Sequence, residues 1–337
     1  MQTYKNVRVL YFVCLFSLLS LSEHFASGKG QKQSLRFFAV GDWGGLPFFP
    51  YKTFVEEAVA YQMGKLAEKF QANFVISLGD NFYTKGVKDS SDARFKNTFE
   101  DVFSAKPLHI PWLISAGNHD HYGNVSGQLE YSKKSKRWKF PSLYYTRKFQ
   151  VPSSNATVEV LIIDTVLLCG KTDPDAKVPG QPLPYTIDHT QADKQLQWIK
   201  KKLKSSKATY LLVCGHYPVY SVAEHGSTDC LLKKLLPMLK KYKVSAYISG
   251  HDHNLQHIQP SDATWTVEYF IVGCANYINN EKTHMSSIPS GSLKFFWANL
   301  FSLGGFTYVE ASVDKMTVTF YESNGNVLYE RSIFPRN

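Results

Sequence analysis

The chain has 337 residues, 44% of them apolar, and 38 Lys and Arg against 28 Asp and Glu give a formal charge of +10. That length can bury a substantial core, and no internal repeat or low-complexity tract interrupts it. The basic run at Lys133, Lys134, Lys136, Arg137 and Lys139 lacks the interleaved aromatics of a nucleic-acid binder. Specific nucleic-acid recognition is excluded, and a general pull on phosphorylated proteins or acidic matrix is left.

Along the chain, Lys5 and Arg8 precede an apolar stretch over 9–21, and the small residues Ala26, Ser27 and Gly28 follow it. This is the layout of a secretory signal peptide over 1–27, too short for the ~20 apolar residues of a membrane span. No later stretch is a transmembrane candidate, and residues 333–337 carry neither an anchor nor a retention signal. The mature domain, 28–337, opens on a strand-like run at 37–40 that ends in Gly41-Asp42-Trp43. Val55, Val59, Met63, Leu66 and Phe70 recur at helical spacing. A second apolar run, 74–78, ends in Gly79-Asp80-Asn81-Phe82-Tyr83, and Gly117-Asn118-His119-Asp120 follows. His121 has no assignment from sequence. Asn124-Val125-Ser126 and Asn155-Ala156-Thr157 are glycosylation sequons in polar stretches.

Cys169 opens a segment running to Thr190 that is rich in Pro, Asp, Lys and Gly and has no apolar period. Thr190 and Asp193 are expected to cap a helix carrying Leu196, Ile199 and Leu203. The run at 210–213 leads to Gly215-His216, then to Ala223-Glu224-His225-Gly226. Leu232, Leu235, Leu236 and Leu239 form a helical stripe that Pro237 is expected to kink. Gly250-His251-Asp252-His253 is followed by strand-like runs, the last three at 306–309, 316–320 and 327–329, with Asn324-Gly325 as a turn. Four cysteines remain after the leader, which allows three full pairings.

Five of these blocks end an apolar run with a metal-binding side chain, where α/β folds place active sites, and the glycine before each is expected to turn the backbone out of the sheet. Asp42, Asp80, Tyr83, Asn118, His216, His251 and His253 form a hard oxygen and nitrogen set without thiolate, which fits Fe, Mn or Zn. A shared carboxylate points to two ions about 3.5–4 Å apart, able to clamp both oxygens of an in-line displacement. The phenol of Tyr83 favours a trivalent ion, with ferric iron the first candidate. No Pro/Ser-rich linker lies between Asp42 and His253, so one domain is expected. Its pattern predicts an α/β fold of two packed mixed sheets flanked by helices.

The seven residues match the ligand pattern of the purple acid phosphatase family of metallophosphoesterases. The stretches RFFAVGDWGG, SLGDNFY, FEDVFS, AGNHDH, GHYPV, AEHG and GHDHNLQ resemble its small mammalian-type branch from Leu35 to the C-terminus. The resemblance implies an αββα sandwich and two iron ions. Asp42, Asp80, Tyr83 and His253 would hold Fe3+, and Asp80, Asn118, His216 and His251 would hold Fe2+, Fe3+ or a divalent substitute, with Asp80 as the bridge. It implies that His119 and His225 line the substrate phosphate and that Cys169 pairs with Cys230; Cys214 and Cys274, inside strand-like runs, read as buried thiols, with a bond between the two as the alternative. The 169–190 segment would be a repression loop whose cleavage by a protease raises activity, with Asp173 reaching the site.

The function so implied is that of an acid phosphatase, secreted or lysosomal, on phosphate monoesters including phosphoproteins and nucleotides. It would be a monomer, acting by in-line attack of a metal-bound hydroxide. A di-metal phosphodiesterase on the same fold and a binding protein that has lost the chemistry are the alternatives; Tyr83 and the His119 and His225 pair favour the phosphatase over the first, and the second would predict missing ligands, of which none is missing.

Overall fold

The computed structural model describes residues 34–172, 181–183, 187–262 and 265–336. The expected signal peptide and Asp173 lie outside the described residues, all of which fall in one of the chain's two units, residues 33–337. Two seven-stranded mixed sheets face each other. The first is built from β1 (Leu35–Val40), β2 (Phe74–Leu78), β3 (Trp112–Ser115) and β4 (Trp138–Lys139), paired in parallel. The second holds β5 (Tyr145–Gln150), β6 (Thr157–Ile162), β7 (Tyr210–Cys214), β8 (Ala246–Ser249), β9 (Leu255–Ile258), β10 (Glu268–Val272) and β11 (Leu293–Trp297). The antiparallel meander of β12 (Gly305–Ala311), β13 (Met316–Glu322) and β14 (Val327–Ile333) returns to β1 and completes the first sheet.

Strands buried on both faces read as near-continuous apolar runs; β7 is wholly apolar, and β1, β2 and β8 are each broken by one polar residue, Arg36, Ser77 and Ser249. In β6 and β7, Val158, Val160, Ile162, Tyr210, Leu212 and Cys214 point to the core between the sheets. The alternating Leu161, Leu211 and Val213 point outward, under helices. Helix α1 (Phe54–Phe70) buries Val59, Met63 and Leu66, and is started by a capping box between Thr53 and Glu56. After the short α2 (Asn118–Tyr122), α3 (Val125–Tyr131) and α4 (Thr165–Cys169) comes α5 (His189–Ser205), which buries Ile199 and Leu203.

The cap of α5 is not Thr190. Asp188 takes the position and accepts from Gln191 N at 3.1 Å, because its short carboxylate reaches the orphan N–H that Thr190, already inside the first turn, cannot. The Leu232–Leu239 stripe divides into α6 (Asp229–Lys234) and α7 (Leu236–Lys241), with Pro237 in the first turn of α7, where its missing N–H costs nothing. The basic run is likewise divided. Lys133, Lys134 and Lys136 are exposed, whereas Arg137 is buried, ion-paired with Glu100 at 2.7 Å and lying 4.6 Å over the Phe99 ring.

Candidate metal centre

The loops after β1, β2, β3, β7 and β8 meet at one end of the sandwich, so the first sheet brings Asp42, Asp80, Tyr83 and Asn118 and the second brings His216, His251 and His253. Two residues beside the candidate ligands tie their loops to the core. Trp43 and Phe82 are fully buried in an aromatic block with Phe99, Phe103, Trp112 and Trp138, and Trp43 Nε1 donates to Ser77 Oγ at 2.8 Å. Asp42 N donates to Gly79 O at 3.0 Å and Gly250 N to His216 O at 3.1 Å, so neighbouring loops share backbone bonds. The sharp turns fall mainly on the candidate ligands themselves. Asp42 (φ 57°), Asp80 (φ 51°) and His251 (φ 73°) all occupy the left-handed region, a strain that persists only where the surroundings impose it. Of the preceding glycines only Gly79 has a positive φ. Gly117 and Gly250 are needed for space, since a Cβ on either would meet an oxygen of Asp80 or Asp42 at 2.2 Å.

Two clusters result. In one, Tyr83 Oη lies 3.1 Å from both Asp42 Oδ1 and His253 Nε2, and the second oxygen of Asp42 accepts His251 N at 2.9 Å. In the other, His216 Nε2 lies 3.0 Å from Asn118 Oδ1, 3.3 Å from Asp80 Oδ2 and 3.2 Å from His251 Nδ1. The donor atoms of Asp80, His216 and His251 all lie within 4.8 Å of one another.

The donor chemistry fits a cation. Leu78 O can only accept, so His216 must donate Nδ1–H to it at 2.9 Å, which leaves the Nε2 lone pair facing an amide oxygen and a carboxylate. Only a proton or a metal ion relieves that confrontation. Without metal the proton takes the place: burial disfavours the imidazolium, but Asp80 and Asp42 outweigh it and push the His216 pKa up to about 9. Burial would likewise lift Asp80, and the His216 and His119 rings overcome this and hold its carboxyl below the usual range. His251 is the reverse case. Burial and the surrounding imidazoles keep it well below the ordinary histidine range, in the neutral form a metal needs, and its Nε2 is buried without a partner. Burial, Asp42 and Asp80 push the Tyr83 phenol far up, so a cation there would have to displace its proton.

His119 and His225 stand beside the clusters, each part-exposed. His119 N donates to Asp80 Oδ1 at 3.0 Å and its ring donates Nδ1–H to Thr84 O at 2.7 Å. His225 packs its ring on His251, centroids 4.1 Å apart, and donates Nδ1–H to Asp252 Oδ1 at 2.8 Å. His121 bonds Asp164 at 2.7 Å, tying α2 to the cap of α4. The sequence reading passed over Asp120 and Asp252, although both sit inside its motif blocks. Asp120 is fully buried and accepts from Asn81 N, Asn81 Nδ2, Gly117 N and Gln128 Nε2, which locks the loops carrying Asp80 and Asn118 together. Burial and Asp80 push its pKa up to about 6. Arg94 was also missed; its buried guanidinium donates to the carbonyls of Tyr83, Gly86 and Gly44. Tyr277 packs edge-on against His253 at 4.3 Å. Cys169 and Cys230 form a disulfide, whereas Cys214 and Cys274 are buried thiols. Asn124 and Asn155 are both exposed.

The family profile of the calcineurin-like phosphoesterases matches residues 35–255. Tartrate-resistant acid phosphatase type 5 of Mus musculus is 47% identical over 308 residues, covering 91% of this chain and 92% of that protein. Purple acid phosphatase 17 of Arabidopsis thaliana is 31% identical, covering 88% and 83%. Among solved structures, GAP50, the anchor in the inner membrane complex of Plasmodium, superposes with a TM-score of 0.74 at 25% identity, covering 91% and 90% of the two chains. The αββα sandwich, the clustered ligands and these relatives together place the chain among the calcineurin-like phosphoesterases, in the purple acid phosphatase family and beside the tartrate-resistant acid phosphatases of type 5.

Proposed function

We propose that this chain is an acid phosphatase that hydrolyses phosphate monoesters at a binuclear iron centre. The observation that carries the metal assignment is the Nε2 of His216, lone pair inward, against Asn118, Asp80 and His251. We assign Asp42, Asp80, Tyr83 and His253 to a ferric ion, and Asp80, Asn118, His216 and His251 to a second ion, iron or a divalent substitute. When bound, the ions supply positive charge for the phosphoryl oxygens and a water acidic enough to attack below neutral pH. The chain's own residues do the rest. His119, fixed by Asp80 and Thr84, orients a phosphate oxygen, and His225 protonates the departing alkoxide.

The compartment follows from sequence. Residues 1–27 are proposed to leave as a signal peptide, and glycans at Asn124 and Asn155 and the Cys169–Cys230 disulfide suit an oxidising route to the lysosome or the exterior. No helix among the described residues is long and apolar enough to cross a membrane. A purified monomer assayed for metal content and for p-nitrophenyl phosphate hydrolysis against pH tests the proposal. Two metal ions per chain and an acidic optimum are expected, and a metal-free active protein would overturn it.

A further inference from the structure

Asp252 lies between two residues assigned to the metals, yet its carboxylate turns away from them. It is fully buried, and all three donors on it come from one stretch of five residues. Its Oδ1 accepts His225 N at 2.9 Å and His225 Nδ1–H at 2.8 Å, and its Oδ2 accepts the Ser221 hydroxyl. Ser221 Oγ in turn accepts Ala223 N at 3.1 Å and Gln256 Nε2 at 2.9 Å, so the carboxylate sits in a filled network. Chelating the backbone and the ring of one residue through a single oxygen fixes the imidazole against its own loop. It also fixes the tautomer, since a carboxylate takes Nδ1–H and leaves Nε2 as the nitrogen open to a substrate. His119 differs, because its Nδ1–H goes to a neutral carbonyl and its Nε2 lies 4.0 Å from Asp80.

We infer that Asp252, held by Ser221, is the positioning residue that sets the tautomer and aim of His225 for leaving-group protonation. This rests on the reading of His225 as the proton donor given above. In that step the ring starts as imidazolium with Nδ1–H on Asp252, and the P–O bond to the leaving group breaks as Nε2–H passes its proton to the departing oxygen, leaving the neutral Nδ1–H tautomer. Water supplies the new P–O bond, and its released proton restores the ring; ester and water become alcohol and inorganic phosphate.

The test compares an alkyl phosphate, whose alkoxide leaves poorly, with p-nitrophenyl phosphate, whose phenolate needs little help. kcat/KM, metal content and melting temperature are measured for His225→Asn, Asp252→Asn and the double variant. His225→Asn is expected to lose about 10²–10⁴-fold on the alkyl ester and far less on the aryl ester. Asp252→Asn should show the same split at about 10–100-fold, with metal content unchanged. Added to His225→Asn, it should cost less than about 2-fold more, because residues acting as one unit are not additive. An even loss on both esters, full additivity or loss of metal in Asp252→Asn would overturn the inference while leaving His225 as the donor. An even loss in His225→Asn would instead sink the donor role and the inference with it. Should Asp252→Asn fail to fold, Ser221→Ala keeps the carboxylate; a split of about 3–10-fold, the worth of one hydrogen bond, is expected, and no split overturns the inference.

Discussion

At the residue scale, the two histidine classes separate by what each nitrogen touches. His216 has its Nδ1 on Leu78 O and its Nε2 among Asp80, Asn118 and His251, so His216→Ala is expected to reduce bound metal and abolish turnover, as is Asp80→Ala. Metal analysis beside a rate assay decides this; wild-type metal and activity in both variants would refute the assignment. His119 hydrogen-bonds Asp80 through its backbone N–H and holds its ring on Thr84 with Nε2 4.0 Å from Asp80, so His119→Ala should keep metal and lower kcat by about 10²–10⁴-fold. Tyr83 is tested by colour. A phenolate on Fe3+ absorbs visible light by moving charge from oxygen to metal, so concentrated protein is expected to be violet to pink. Tyr83→Phe keeps the ring and removes the oxygen, so the band should vanish while iron stays bound through Asp42, Asp80 and His253. A colourless active protein holding only zinc or manganese would retire the iron assignment.

At the scale of elements, the described residues Gly170, Thr172 and Gln181 of the stretch between Cys169 and Thr190 contact both shoulders of the site. Tyr217, next to His216, donates its hydroxyl to Gly170 O at 3.1 Å and accepts Thr172 N at 3.2 Å, while Gln181 Nε2 donates to His225 O at 3.2 Å and Ser227 O at 2.9 Å. Limited proteolysis within this segment is proposed to raise kcat, and unchanged kinetics after clean cleavage would refute a regulatory loop. The elements legible in the sequence were those whose patterning matched their burial. β1, β2, β7 and the β12–β14 meander read as strands because packing on one or both faces selects β-branched and aromatic residues. β9 falls in the strand-like stretch after His253 but has no apolar run of its own, because its Gln256 and His257 are buried polar residues with partners outside the strand. β5, an edge strand reading Tyr-Thr-Arg-Lys-Phe-Gln, gives no apolar run. The residues of the two clusters were legible for the opposite reason: each stands just past the end of such a run. Asp120 and Asp252 were not, since an acid beside a ligand looks the same whether it is solvated or takes three or four N–H and O–H donors in the core.

At the scale of the molecule, the sheets are joined far along the chain by a buried polar bridge. His257 on β9 donates Nε2–H to Glu268 on β10 at 2.6 Å, and its Nδ1 accepts the hydroxyl of Tyr329 on β14, in the other sheet, at 2.8 Å. Arg331, also on β14, donates to Glu268 at 2.9 Å. Burial, only partly offset by Glu268, holds the His257 pKa below the ordinary value, so the folded state keeps it neutral. Burial would raise Glu268, but His257 and Arg331 outweigh it and hold its carboxyl below the usual range. For a base depressed in the folded state, the unfolded chain binds the extra proton first, so stability falls as pH drops below about 6.5. For an acid depressed in the folded state, stability present above about 4.3 is lost as pH falls through the folded value. Both terms have the same sign, so acidification weakens the bridge. His257→Asn is expected to melt below wild type at pH 7.5, because it leaves buried groups unmatched at about 1–3 kcal/mol, yet to lose less on going to pH 5. The metal-linked dependence is common to both proteins and cancels in the difference between their melting curves. Parallel curves across that range would show that His257 stays outside the acid response.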